Sequence, residues 1–268
     1  MTTGALKALF VGISDYGPSF NALPGCKLDI SSWHALLRDT FGIHTSRVLS
    51  DGEATRAGVE AGLRWLFAGA SAGDRLVFVY AGHGTRTTHD SATEDALFFY
   101  PKTASGSDAT FFDDDLSQLV KSTKLDLTTT QLTLILDCCY SGGLVRALVK
   151  APPTAIPRFV ELPTPRDTTR APATTTSLPF GQLRAHHGGA KPLVVAAAKA
   201  TEMAWDNQMP DGKHHGVFSY FAVTALKATP SSTYDTLIER VTPSIDKEFP
   251  QHPMLGGNET RRRLPFLQ

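Results

Sequence analysis

The sequence has few cysteines, no net charge and no long apolar run. Only three cysteines occur among 268 residues, and two of them are adjacent, which excludes the disulfide framework of a small secreted protein. The 26 basic and 26 acidic residues cancel, so composition indicates neither a nucleic-acid partner nor an anionic membrane surface. No apolar stretch approaches the roughly 20 residues that a bilayer-spanning helix needs. We therefore expect a cytoplasmic protein with reduced cysteines and with no nucleic-acid or membrane partner.

Strand-like apolar runs alternate with helical patterns along most of the chain. The run KALFVGIS (7–14) favours a first buried strand over a secretion signal, because no small-residue cleavage site follows it. Further buried strands are predicted at residues 75–84, 96–101, 133–137 and 192–200. This alternation predicts an α/β fold with a mainly parallel central sheet flanked by helices on both faces.

One stretch interrupts the alternation. Residues 151–191 are rich in Pro and Thr and poor in apolar side chains, so they offer little to offset the entropy of ordering. We predict a mobile linker here within a single domain spanning 1–268. It separates a first part, residues 1–150, from a second part, residues 192–268.

Two glycine-flanked residues with reactive side chains follow strong strands. VFVYAGHG places His83, and LILDCCYSGG places Cys139, just beyond the carboxyl end of a strand, where ligands gather in open α/β sheets. A histidine can lower the pKa of a thiol and then protonate a leaving amine, and the amides of Gly84 and Cys139 can stabilise an oxyanion. Singly, each residue is more often structural. Their placement at the ends of two strands, each flanked by glycines, favours a nucleophile with its acid–base partner.

These segments resemble those of the caspase-like superfamily, and within it those of metacaspases. YAGHG, LDCCYSGG, AAAKATEMAWD and HGVFSYFAVTAL look like the large- and small-subunit signatures, and GISDYG, LPGCKLDISSWHALL and HPML are similar too. The resemblance covers nearly the whole chain apart from the linker. It implies a caspase-like fold with a large-subunit-like part at 1–150 and a small-subunit-like part at 192–268, as in stand-alone prokaryotic members.

The resemblance implies a cysteine endopeptidase that acts through a covalent thioester. The family motif Asp-x-Cys-x-Ser-Gly puts the nucleophile at Cys139 rather than Cys138, with His83 as the catalytic histidine. A non-catalytic caspase-like interaction module is the alternative function. A cysteine-dependent acyl transferase on a similar sheet is a third.

Cleavage after Arg or Lys is also implied by the resemblance. Asp137 and Asp29 match two carboxylates of a specificity pocket, which would bind a cation through charge-assisted hydrogen bonds. Cys26 and Ala81 lie in the matching segments and are assigned to substrate binding, Ala81 where several metacaspases have a serine. Capping of a helix by Asp29 and closure of a turn by Asp137 are the structural alternatives.

Later polar residues are given smaller roles. By resemblance, Trp205 and Asp206 border the substrate groove, although a tryptophan packed at a rim is equally compatible with this position. His214 and His215 lie in a polar turn, where we expect them to be solvated.

No cofactor is required for the chemistry, but many metacaspases bind calcium through aspartates. Asp113, Asp114 and Asp95 match family ligands, and carboxylates suit this ion. The same aspartates also suit the first turn of a helix, where they complement its dipole. Arg146 stands near the place where a further ligand is expected, which weakens the match.

The linker carries arginines at which a latent form could be cut. They are Arg158, Arg166, Arg170 and Arg184, targets for this enzyme or for an upstream activating protease; the alternative is a tolerated surface insertion. The resemblance thus favours a latent monomer that acts on protein or peptide substrates with Arg or Lys before the cut. Its setting would be a cell-death or defence response, including antiviral defence.

Overall fold

The computed structural model describes residues 4–89, 92–140, 151–162 and 191–268. The strands are β1 (Leu6–Gly12), β2 (Thr45–Ser50), β3 (Arg75–Ala81), β4 (His83–His89), β5 (Ala92–Phe98), β6 (Thr110–Phe111), β7 (Gln131–Asp137), β8 (Ile156–Pro157), β9 (Phe159–Val160), β10 (Leu193–Ala196), β11 (Trp205–Gln208), β12 (His214–Gly216) and β13 (Met254–Gly257). The helices are α1 (Cys26–Phe41), α2 (Arg56–Phe67), α3 (Asp113–Ser122), α4 (Val217–Ala228), α5 (Tyr234–Ile245) and α6 (Glu259–Arg262).

A six-stranded sheet lies at the centre, in the order β13-β10-β7-β3-β1-β2. Its pairings are parallel except for the antiparallel pair of β10 with β13. The strands β1, β3, β7 and β10 are almost wholly buried, as expected for continuous apolar runs covered on both faces. The predicted α/β architecture with a mainly parallel sheet is confirmed.

Helices cover both faces of this sheet, as two neighbouring residues of β1 show. Leu9 faces α2, where a Cβ added at Gly62 would lie 3.0 Å from the Leu9 methyl groups. Phe10 faces α1, and its ring centroid lies 5.0 Å from that of His34. Because successive side chains of a strand point to opposite faces, α1 and α2 lie on opposite sides of the sheet. Within the described ranges, no helix combines the length and apolarity needed to cross a bilayer.

Two smaller sheets include part of the predicted linker. Their strand orders are β6-β5-β4-β9 and β12-β11-β8. Of the linker predicted to be mobile, the structure describes residues 151–162, and β8 and β9 belong to them. These residues differ from the expectation because their backbone adds a strand to each small sheet, which satisfies polar groups that would otherwise need water.

We predict that Leu9→Ala lowers the free energy of unfolding by about 2–5 kcal/mol, because the Leu9 side chain on β1 is fully buried against α2. Val48, in the edge strand β2, is 45 % exposed, and Val48→Ala should cost less than about 1 kcal/mol. Urea unfolding of both variants measures the difference. Equal losses would contradict this placement of the core.

Candidate active site

The two reactive residues lie side by side because their strands run in register. Ala81 at the end of β3 lies opposite Asp137 at the end of β7, so His83 and Cys139 each follow by two residues. The amide of Gly82 donates to the carbonyl of Asp137 at 3.3 Å, which continues this pairing past the strands. Register of the sheet thus brings the imidazole and the thiol to one edge.

Two buried tyrosines hold the backbone of His83. The amide of His83 donates to the Tyr16 hydroxyl at 2.7 Å, and the Tyr80 hydroxyl donates to the carbonyl of His83 at 2.7 Å. The imidazole Nε2 lies 2.8 Å from the carbonyl oxygen of Asn21. Since a carbonyl can only accept, Nε2 carries the hydrogen and Nδ1 is the basic nitrogen of the neutral ring. Nδ1 is buried and has no hydrogen-bond partner within the described residues.

The two adjacent cysteines have different surroundings. The Cys139 Sγ lies 3.7 Å from the Met203 Sδ and 3.8 Å from the carbonyl oxygen of Ala204. The Cys138 thiol instead donates to the Tyr140 hydroxyl at 3.3 Å, and burial raises its pKa well above the usual range. Cys138 is therefore a packed, protonated thiol.

The main chain of Arg158 lies across this edge like a bound substrate. Its carbonyl oxygen accepts from the amide of Gly84 at 2.9 Å and from the amide of Cys139 at 3.2 Å. Its own amide donates to the carbonyl of Ala204 at 2.9 Å. A Cβ at Gly84 would collide with the carbonyl oxygen of Cys139, so only glycine fits there. Two amides thus converge on one peptide oxygen, which is the geometry of an oxyanion hole.

The Arg158 side chain fills an acidic pocket and is fully buried. Its guanidinium lies 2.5 Å from the Asp29 carboxylate, 3.2 Å from that of Asp137 and 3.1 Å from that of Asp206. Burial alone would lower the pKa of Arg158, but the carboxylates, with Asp137 the strongest, raise it well above its usual range. The pocket therefore binds its cation with an excess of negative charge.

Backbone amides orient the three carboxylates. Asp29 accepts from the amide of Gly216 at 2.9 Å. Asp137 accepts from the amide of Ser219 at 3.1 Å, and Asp206 accepts from the amide of Gly25 at 3.0 Å. Burial raises the pKa of Asp137 to about 6, with Arg158 opposing the rise and Asp29 adding to it. A Cβ at Gly216 would collide with the Asp137 carboxylate and the guanidinium, so glycine leaves the space that the cation occupies.

Two histidines contact two of these carboxylates. The expectation that both histidines are solvated is therefore wrong. His214 Nδ1 lies 3.0 Å from Asp206, and His215, only 5 % exposed, lies 3.1 Å from both Asp29 and Asp211. Burial would lower the pKa of His215, but hydrogen bonds to Asp29 and Asp211 raise it. The polar turn folds back because β11 and β12 form a hairpin beside the pocket.

The residues predicted to bind calcium do not form a ligand set in the described structure. Asp95 is held by a two-pronged pair with Arg86, at 2.6 and 3.2 Å. Asp113 and Asp114 lie in the first turn of α3. Across the described ranges, no group of three or more His, Cys, Asp or Glu side chains converges as a metal site. Calcium binding stays a prediction, and no catalytic step is assigned to it.

The other predicted site residues fall into two groups. Cys26 and Ala81 are buried near the pocket, and burial raises the pKa of the Cys26 thiol, with Arg158 opposing. Neither Cys26 nor Ala81 has a hydrogen bond to Arg158 within the described residues. The linker residues Arg166, Arg170 and Arg184 lie outside the described residues.

Sequence reasoning missed several residues of the site. It placed Asp206 at the border of a groove, whereas the structure makes it the third pocket carboxylate. It also missed that Tyr16 and Asn21 orient His83. The signal for Tyr16 was its place in the family-like GISDYG segment, and nothing in the sequence pointed to Asn21, which acts through its main chain.

The carboxyl ends of β3 and β7 thus carry an imidazole, a thiol, two amides that converge on one peptide oxygen and an acidic pocket, which is the arrangement of the caspase-like class of protein. A family model described as the metacaspase, peptidase C14 domain matches residues 6–147, which is more than half of the chain. The chain therefore belongs to the metacaspase family, a family of cysteine-type endopeptidases.

Individual relatives agree with this assignment. Metacaspase-3 of Trypanosoma cruzi is 33 % identical over 154 residues, covering 53 % of this chain and 42 % of the relative. Metacaspase-1 of Ajellomyces capsulatus is 25 % identical over 290 residues, covering 95 % of this chain and 80 % of the relative. The chain thus spans less than half the length of the first relative and most of the second. A crystal structure of a Geobacter sulfurreducens protein shares the fold with a TM-score of 0.69 at 15 % identity, covering 98 % of this chain and 97 % of that one.

We predict that His83 stays neutral to unusually low pH in the uncut chain. Burial lowers its pKa to about 4, and the nearby Arg158 charge contributes, so the ring becomes charged only when the pH falls through about 4. NMR titration of ¹⁵N-labelled histidines in a Cys139→Ala background measures this value. Arg158→Met in the same background should raise the pKa of His83 only in part, because it removes the positive charge but leaves burial, the larger cause, in place. A pKa near 6.5 already in the parent would contradict the buried, neutral imidazole.

Proposed function

We propose that this protein is a cysteine endopeptidase that cleaves after Arg or Lys and that its first substrate is its own Arg158–Phe159 bond. The observation that carries this proposal is the position of Arg158. Its carbonyl oxygen lies between the amides of Gly84 and Cys139, while its guanidinium lies in the acidic pocket. Arg158 thus occupies two sites at once: its carbonyl group lies where the bond to be attacked must lie, and its side chain lies in the pocket that selects the residue.

The proposed chemistry assigns one step to each group of the site, and the first step requires His83 Nδ1, which has no hydrogen-bond partner within the described residues, to come within reach of the Cys139 thiol. His83 Nδ1 takes the proton of the Cys139 thiol, and the thiolate attacks the carbonyl carbon of Arg158. The negative charge on the oxygen is stabilised by the two amides. The C–N bond breaks, the proton on Nδ1 passes to the leaving amine of Phe159, and a thioester remains. Water then releases the Arg158 carboxylate and returns a proton to the thiol.

Specificity for a cation follows from the charge of the pocket. Three carboxylates face one guanidinium, so an acidic side chain in this position would meet repulsion and lose its hydration. A lysine ammonium supplies the same charge but without the two-pronged geometry of a guanidinium. Arg should therefore be preferred over Lys, and both strongly over Asp.

Occupation of the cleft by Arg158 would make the uncut chain latent. A substrate must displace a side chain that is fully buried and paired with three carboxylates. For the same reason, an upstream protease cannot reach Arg158 in the closed form, so the enzyme's own thiol is the agent proposed for this bond. An irreversible cut that releases activity would suit a cell-death or defence response.

Cys139→Ala should abolish self-cleavage, whereas Cys138→Ala should leave it largely intact, because Cys138 is engaged with Tyr140 and not with the Arg158 carbonyl. Mass spectrometry of the purified proteins reports the outcome, and the expected fragments end at Arg158 and begin at Phe159. Equal loss in the two variants would overturn the assignment of the nucleophile. Intact wild-type protein that also fails to hydrolyse any Arg peptide would instead favour the non-catalytic module.

Asp206→Asn should lower kcat/KM on a peptide with Arg before the cut by about 10- to 200-fold, since a buried charge-assisted hydrogen bond contributes about 1.5–3 kcal/mol. Asp39→Asn is the matched control, because Asp39 is exposed in the last turn of α1, whereas the pocket residue Asp29 lies in the first turn of the same helix. Fluorogenic peptides with Arg, Lys or Asp at this position give the rates. Hydrolysis of the Asp peptide at the rate of the Arg peptide would refute the acidic specificity pocket.

A further inference from the structure

The chain that follows the Arg158–Phe159 bond is held by strand pairing, as is the chain that precedes it. Before the bond, β8 pairs antiparallel with β11. After the bond, β9 pairs in parallel with β4, Phe159 opposite Gly84 and Val160 opposite Thr85. The bond that would be cut therefore bridges two different sheets.

Pairing with β4 is coupled to the oxyanion hole. The amide of Gly84 that donates to the Arg158 carbonyl at 2.9 Å belongs to the strand that β9 joins. One residue further on, the Thr85 hydroxyl donates to the carbonyl oxygen of Val160 at 2.9 Å, and Thr85 is fully buried. Residues placed along β4 after the cut thus help to hold the scissile carbonyl in position.

Side-chain burial after the cut is selective. Phe159 is 5 % exposed and belongs to the hydrophobic core, whereas Val160 is half-buried and Glu161 is exposed. An aromatic side chain that is removed from water in this way contributes far more to binding than a small or charged one. The site directly after the cut is therefore an apolar one.

We propose that β4 is a binding edge for the substrate residues that follow the cut, with an apolar site that prefers a bulky aromatic or aliphatic residue directly after the basic one. This inference rests on the proposed function. The substrate class is an extended segment of the type basic–aromatic–β-branched, bound by strand addition on both sides of the cut. The edge of β4 supplies main-chain hydrogen bonds, and the Phe159 site supplies selectivity.

A peptide series tests the preference. Peptides Ile-Pro-Arg-X-Val-Glu-Leu, with X as Phe, Leu, Ala or Asp, are given to one preparation of the wild-type protein. The kcat/KM for Phe and Leu should exceed that for Ala by about tenfold or more, and Asp should be slower still. Any residual occupation of β4 by the enzyme's own segment scales all rates alike and leaves the ratios unchanged.

A second measurement tests the edge itself. For Thr85→Val, the ratio of kcat/KM on the X = Phe peptide to that on a substrate ending in an aminocoumarin after Arg should fall several-fold. Thr45→Val, on the exposed edge strand β2, is the matched control and should keep the wild-type ratio. The rate of self-cleavage can be followed during cell-free translation. This rate should be lower for Phe159→Ala than for the wild type. It should return towards the wild-type rate in Phe159→Leu, and Glu161→Ala should leave it unchanged.

The outcomes separate this inference from the proposed function. Failure to hydrolyse any Arg substrate, short or long, overturns the proposed function. Hydrolysis of the aminocoumarin substrate with equal rates for all four X peptides overturns the inference alone, and the burial of Phe159 is then a property of the uncut fold only.

Discussion

The burial of one guanidinium among three carboxylates is the interaction on which the rest of this active site depends. Removing a charge from water costs several kcal/mol per ion even after relaxation, so the arrangement is stable only while every partner is in place. Asp29 and Asp137 precede the linker and Asp206 follows it. The pocket therefore exists only when both parts of the chain are packed together. Backbone amides and two histidines hold the carboxylates in position, since three like charges would otherwise separate.

Backbone register, rather than side-chain packing, sets the catalytic geometry. His83 and Cys139 follow paired residues of two parallel strands, and the amides beside them aim at the same carbonyl oxygen. The tyrosines beneath His83 hold its main chain and leave the imidazole to be oriented by the carbonyl of Asn21. The chain around Arg158 joins a separate small sheet on each side of the Arg158–Phe159 bond. Because both flanking segments are already paired in sheets, little further conformational entropy is lost when that bond is positioned next to the thiol.

Much of the site was predictable where chemistry coincides with a strong local pattern. The apolar runs before His83 and Cys139 are typical of buried parallel strands, and the residues just past such strands meet at one edge. The position of Asp137 at the end of one of these strands was predictable in the same way, whereas its role in a pocket was implied by the resemblance. The positions of Asp206 and His215 were not predictable, because a short polar hairpin has no hydrophobic periodicity that would indicate which of its residues are buried. Asn21 contributes a main-chain oxygen, which any residue has.

The sequence by itself determined the class of fold, the buried strands and the placement of His83 and Cys139 just beyond the ends of two of them. Hydrophobic periodicity and the placement of glycines are local signals, because each depends only on residues that are close together in the sequence. Only the tertiary structure decided that Arg158, in a stretch with the composition of a mobile linker, lies at the bottom of the acidic pocket. Composition reports the average apolar content of a segment, and this segment is held by one cation and by strand addition. Both depend on partners that are distant in sequence: Asp29 is 129 residues away from Arg158.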